Sequence, residues 1–213
     1  MNIAGNLASI RQRIARAGGN PDEITIVAVT KGFGPEVCRE ALGAGLTILG
    51  ENRVQEALTK MDAVQGARWH LIGHLQTNKV RLAAGRFELI QSVDSQHLAE
   101  AIARVDAKQR VLVEVNVARE PQKSGADPER APEVISQVSR LLDVQGLMAM
   151  GPTKDDPMPA FNELRIMRDA AEQRLGKSLP ILSMGMSGDF EAAVRAGSTM
   201  VRLGQTLFGP RPA

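Results

Sequence analysis

Ile24–Val29 reads ITIVAV, apolar except for Thr25 and rich in β-branched side chains. A run without polar alternation is what a strand buried on both faces needs, because neither face is offered to water. Thr30-Lys31 interrupts it, and a segment of helical texture follows from Pro35. The same alternation continues outward along the chain. Further β-rich runs begin at Thr47 (TILG), Trp69 (WHLIG), Glu88 (ELIQSV), Arg110 (RVLVEVNV), Val144 (VQGLMAM), Pro180 (PILSMGM) and Ser198 (STMVRLG), eight in all. Each interval has room for a strand, a helix and two loops. Strict βα alternation implies parallel strands. Eight such units predict a (β/α)8 TIM barrel, although about 250 residues is more usual for one. An open doubly wound sheet is the alternative.

Between the runs, apolar residues recur at helical spacing. Val54, Ala57, Leu58 and Met61 form one such face, and Leu98, Ala101, Ile102 and Val105 another. Ile135, Val138 and Leu142 share a face, as do Leu164, Met167, Ala171 and Leu175. Shorter helices are expected at Pro35–Leu42, Leu75–Ala84 and Asp189–Ala196. Gly18-Gly19-Asn20-Pro21 is expected to end an N-terminal helix. Asp127-Pro128 is expected to be an N-cap followed by a first-turn proline. Residues 151–159 (GPTKDDPMP) read as a surface loop. Nothing divides the chain, so residues 1–213 are expected to form one domain.

Composition narrows the function classes. The chain has 213 residues, 43% hydrophobic and 23% charged, which is ordinary globular composition. A net charge of +2 gives no argument for nucleic acid or an acidic membrane surface. One cysteine, Cys38, excludes a disulfide framework. It reads as a packed thiol and fits a reducing compartment. No run approaches the roughly 18 apolar residues of a membrane span. The start of the chain has no signal-peptide pattern, so a cytoplasmic protein is expected. His70, His74 and His97 lack ligand-pair spacing, and no metal site is expected.

Several runs end in a polar residue: Lys31, Glu51 and Asn52, His74, Asp94, Asn116, Ser183 and Ser187, and Arg202. In a barrel these ends share the face that carries active sites. A lysine at the end of a core strand is partly desolvated, which lowers its pKa and favours attack on carbonyls. It can equally snorkel at the rim. Ser187-Gly188 leads into a helix pattern, and Gly204 makes a turn just after Arg202. Small residues there let an anion approach backbone N–H groups, and barrels often bind phosphate after strands seven and eight. A plain N-cap and glycine turn would look the same. A carbonyl-seeking lysine opposite a phosphate cradle suggests a small phosphorylated aldehyde, with pyridoxal 5′-phosphate (PLP) the obvious candidate.

The stretches IVAVTK, LGENRVQEA, WHLIGHLQTNKV, IQSVDS, VLVEVNV, KSG, VQGLMAM, LSMGMSGDFEAAVRAGSTMVRLG and FGPR span nearly the whole chain. On them the chain resembles the pyridoxal phosphate homeostasis protein family, related to the N-terminal barrel of alanine racemase. The resemblance implies a fold-type-III PLP barrel with the cofactor as a Schiff base on Lys31. It implies that Ser187 and Gly204 hold the phosphate. Arg202 would face the pyridine nitrogen, where an arginine disfavours ring protonation. Asn52, Ser183 and Met184 would complete the cofactor site. It also implies a part in vitamin B6 balance without robust catalysis, with PLP-dependent apoenzymes as possible recipients. Members usually carry a second lysine two positions after the first, where this chain has Phe33. The chain also ends at Ala213, so features beyond the last helix are expected to be missing.

The enzyme alternative is a small PLP-dependent racemase or lyase. Racemisation needs proton donors on both faces of the substrate. The related racemases bring a tyrosine from an added β-domain, and this chain contains no tyrosine. With no apolar surface helix in view, a monomer is expected.

Overall fold

The computed structural model describes residues 1–210, so Arg211 of the FGPR stretch and the tail at Pro212-Ala213 lie outside the described residues. Eight strands run in chain order: β1 (Thr25–Val29), β2 (Ile48–Glu51), β3 (Arg68–Leu71), β4 (Leu89–Val93), β5 (Arg110–Glu114), β6 (Asp143–Met148), β7 (Ile181–Ser183) and β8 (Met200–Leu203). Each pairs in parallel with its successor, and β8 closes on β1 with Thr25 opposite Met200 and Ala28 opposite Leu203. That last ladder excludes the open sheet.

Period-2 alternation divides the strand residues between two cores. Val27, Ile48, Leu89, Leu112, Met148 and Met200 fill the barrel interior. The opposite faces, including Ala28, Leu49, Ile90 and Val113, pack under the helices. Both sets are buried, which is why strands such as β1 read as continuous apolar runs.

The helices are α1 (Ile3–Arg16), α2 (Pro35–Gly43), α3 (Val54–Met61), α4 (Val80–Ala83), α5 (Gln96–Ala103), α6 (Ala131–Ser139), α7 (Pro157–Leu175), α8 (Phe190–Arg195) and α9 (Gln205–Phe208). Helix α1 precedes the barrel and packs on α8 and α9. Arg13 lies 4.4 Å over the Phe190 ring while pairing with Glu191 at 2.6 Å.

Four expectations need adjustment. The Leu75–Ala84 helix is a 3-10 turn, Thr77–Lys79, followed by α4. Asp127–Arg130 is a turn in which the Asp127 carbonyl accepts from the Arg130 and Ala131 amides; the first-turn proline of α6 is Pro132. Val105 and Leu142 fall beyond the ends of α5 and α6, Val105 44% exposed and Leu142 buried. The loop after β6 is shorter than expected, because Asp156 caps α7 by accepting from the Met158 amide.

Candidate functional site

Lys31, Asn52, Ser187, Arg202 and Gly204 line one cavity of about 320 Å³ at the C-terminal ends of the strands. Val29, Ile72, Met150 and Met186 supply its apolar wall. The lining holds two cationic side chains and, among the described residues, no carboxylate. An anionic ligand with a flat apolar body suits that donor set.

Each side chain has a local reason for its place. Lys31 follows β1 on a turn closed by the Phe33 amide, which donates to the Thr30 carbonyl at 3.1 Å. Gly32 takes a φ of +78° there, a conformation that favours glycine. Phe33 is buried and its ring lies 5.4 Å from that of Phe208. In this chain the position is used for packing. Asn52 follows β2, and Gly73 lies against its backbone so closely that a β-carbon would overlap the Asn52 carbonyl oxygen.

Ser187 does not continue β7 directly into a helix, since β7 ends at Ser183 and α8 starts at Phe190. The intervening turn is held by Asp189, whose carboxylate accepts from the Met186 amide at 2.6 Å. Ser187 Oγ accepts from the Thr206 amide at 3.2 Å, which joins the loops after β7 and β8.

Arg202 is buried on β8, and none of its hydrogen-bond partners is charged. Its Nη1 donates to the Ser183 carbonyl at 2.7 Å and to Ser183 Oγ at 2.8 Å, and Nη2 donates to the Ala149 carbonyl at 2.9 Å. Burial lowers its pKa to about 10, against the opposing charges of Glu114 and Asp189. Ser183 Oγ donates onward to Gln91 Oε1 at 2.6 Å, and Gln91 Nε2 lies 3.0 Å from His70 Nδ1. The direction of this chain follows from its start. An arginine can only donate, so the Ser183 proton goes to the Gln91 oxygen and the Gln91 amide donates to His70 Nδ1. His70 is then neutral with its proton on Nε2. Burial holds its pKa down at about 4.

Ser183 thus supports Arg202 without lining the cavity. Met184 does not line it either. It is fully buried in the core between barrel and helices, because the residue after an inward-facing Ser183 must face outward. Met186 and Met150 occupy the wall instead. Glu51 is outside the cavity and fully buried against α3. His74 is exposed, 3.6 Å from Asp94, and Asn116 donates to the Glu120 carbonyl at 2.9 Å. Cys38 is a packed thiol whose pKa burial raises.

Glu114 went unread in the sequence. It ends β5, is 2% exposed, and accepts from Ser124 Oγ at 2.9 Å, while its Oε2 has no partner. Burial raises its pKa to about 7, against the Ser124 hydrogen bond and the Arg202 charge. Its two-residue offset from the inward-facing Leu112 was the available signal.

The family model described as alanine racemase, N-terminal domain, matches residues 2–212. The pyridoxal phosphate homeostasis protein of Aquifex aeolicus is 41% identical, the match covering 99% of this chain and 99% of its relative. That of Escherichia coli K12 is 36% identical, covering 99% and 97%. The chain belongs to the pyridoxal phosphate homeostasis protein family. Among solved structures, PipY of Synechococcus elongatus with PLP bound superposes with a TM-score of 0.85 at 35% identity, covering 97% of this chain and 100% of PipY. An alanine racemase of Clostridium difficile superposes at 0.80 with 18% identity, covering 98% of this chain and 60% of the racemase, which shows the shared barrel. Among the described residues no helix is long and apolar enough to cross a membrane, and no group of His, Cys, Asp and Glu could hold a metal ion.

Proposed function

We propose that this protein binds PLP in the cavity at the mouth of the barrel and serves PLP homeostasis, holding the cofactor on Lys31 without turning over a substrate. The observation that carries the reading is the lining itself: Lys31 and Arg202 share one cavity in which, among the described residues, no carboxylate stands, with Ser187 and Gly204 on adjoining loops. When bound, PLP supplies an aldehyde and an electron-accepting ring. Lys31 would hold it through its amine, the carbonyl-seeking group in the lining, as a Schiff base. Ser187 and Gly204 serve the phosphate end. Arg202, an obligate donor, would stand at the ring end of the cofactor, where its charge would disfavour a proton on a ring nitrogen and so weaken the ring as an electron sink.

The racemase reading needs a second proton carrier. Among the described residues lining the cavity, Lys31 is the one side chain suited to exchange protons with a substrate, since an arginine keeps its charge. His70 is tied to Gln91, and Cys38 lies in the outer core. A resting PLP carrier can still pass its cofactor to apoenzymes.

The test is reduction of the PLP-loaded protein with borohydride, followed by peptide mapping. The label is expected on Lys31, and Lys31→Ala is expected to lose the visible absorption band while remaining folded. A label on another lysine overturns the assignment. Lys31-dependent exchange of the Cα proton of L-alanine in deuterated water at about 1 s⁻¹ or faster, an ordinary enzyme rate, overturns the non-catalytic part.

A further inference from the structure

We infer that the buried cluster of Glu51, Glu56 and Lys60 is a positioning device for Lys31. This rests on the reading of Lys31 given above.

Lys60 lies on α3 and is 3% exposed. Its Nζ donates to Glu51 Oε1 at 2.7 Å, to Glu56 Oε1 at 2.8 Å and to the Thr30 carbonyl at 2.8 Å. Those three bonds use every proton of an ammonium group. The two carboxylates reach on to the same loop. Glu51 Oε1 accepts from Thr30 Oγ1 at 2.5 Å, and Glu56 Oε1 accepts from the Gly32 amide at 2.6 Å. The cluster therefore grips the residue before Lys31 at two points and the residue after it at one. Glu56 and Lys60 are one helical turn apart, so a single face of α3 presents both ends of the grip.

Energetics favour a positioning role over a purely stabilising one. A buried ion pair stabilises a fold no better than well-packed apolar residues of similar size, because desolvation offsets the attraction. An apolar side chain at position 60 would fill the space behind β1 and β2. It would take from the Thr30 carbonyl the second of its two donors, leaving the Phe33 amide, and from Glu56 the cation that fixes its carboxylate under the Gly32 amide. What the charged cluster adds is orientation of the two peptide units that flank Lys31. The Gly32 amide can turn toward Glu56 because the residue takes its positive φ. The grip on both neighbours fixes the Cα from which the Lys31 side chain enters the cavity. Glu51, Glu56 and Lys60 are positioning residues, since none of them lines the cavity.

The test uses Glu56→Ala, because Glu56 is 28% exposed and alanine keeps the helix. Lys60→Met is a second variant, and Glu163→Gln is the control, as it breaks the Arg119 pair elsewhere. Amide exchange at Gly32 is read in PLP-free protein, and the dissociation constant is read by PLP titration. Loss of one charge-assisted bond predicts a change on the order of tenfold in each for Glu56→Ala, with Glu163→Gln unchanged. A Glu56→Ala protein with unaltered Gly32 exchange and unaltered PLP affinity overturns the inference, even where its melting temperature has fallen. Unaltered PLP affinity in a folded Lys60→Met protein overturns it as well. Borohydride labelling separates the two levels: a label away from Lys31 sinks the reading of the site, whereas Gly32 exchange reports the clamp without cofactor.

Discussion

Glu114 and His70 oppose each other in their effect on stability, and Glu114→Gln is expected to expose the opposition. Moving the Glu114 carboxyl from 4.5 to about 7 penalises its charged form by about 3 kcal/mol, at about 1.4 kcal/mol per decade. A carboxyl with a raised folded pKa leaves stability intact below the unfolded value. Stability is lost as pH rises through about 7. His70 runs the other way. Its folded pKa falls from 6.5 to about 4, so stability is intact above 6.5 and is lost as pH falls toward 4, again by about 3 kcal/mol. Between these limits the two slopes cancel. Glutamine keeps the shape of the neutral acid and an acceptor for Ser124 Oγ. Urea unfolding of PLP-free wild type and Glu114→Gln is the assay, run from about pH 4.5 to about pH 7.5. Stability of the variant relative to wild type is expected to rise by about 3 kcal/mol across that range. The variant alone is expected to lose stability on acidification as His70 gains its proton. A difference between the two proteins that is the same at both ends of the range would refute the assignment of a titrating, desolvated Glu114.

Three further outcomes follow from single contacts. Ser187→Ala is expected to weaken PLP binding about tenfold, with pyridoxal, which lacks the phosphate, unaffected; equal losses for both, by titration, would remove Ser187 from the phosphate end. Gly146→Ala is expected to cost at least about 2 kcal/mol in urea unfolding, because a β-carbon there would overlap the Ile181 carbonyl oxygen on β7 and Gly146 has a φ of +155°. Phe33→Lys, the residue that the family resemblance implies at this position, is expected to destabilise by about 3 kcal/mol or more, since it removes the ring packed on Phe208; an unchanged thermal midpoint would show that the loop accepts a lysine without loss.

The barrel was legible because its strands are buried on both faces. ITIVAV, ELIQSV and RVLVEVNV carry enough apolar residues to fix the starts of β1, β4 and β5 to within one residue, although the last run continues three residues past the end of β5. The helices were legible where one apolar face repeats, as at Val54 and Ala57 or Ile135 and Val138, all buried. Leu75–Ala84 failed because its apolar residues flank the polar stretch Gln76–Lys79, and only short turns form there. Helix ends failed at Asp127 and Val105 because a cap is decided by backbone hydrogen bonds that composition does not fix.

The site was half legible, and one rule accounts for both halves. Val27, Val29 and Lys31 alternate onto the inner face, as do Met200, Arg202 and Gly204, so their polar members reach the cavity. Applied strictly, the same parity would have turned Met184 and Glu51 outward, where they are found, and would have brought Gln91 and Glu114 inward. Parity cannot supply the partners. That Lys60, on a helix, meets Glu51, on a strand, depends on how α3 lies across β2 and β3. That Arg202, Ser183, Gln91 and His70 form a chain depends on four separate strands closing around one axis. Closure also gives the chain its sense. Because Arg202 can only donate, each later group has its donor role assigned in turn, and the guanidinium is held by acceptors of the barrel itself, the Ser183 and Ala149 carbonyls and Ser183 Oγ. A charge fixed in place this way needs little reorganisation to meet a ligand, the form of preorganisation that lowers the cost of binding.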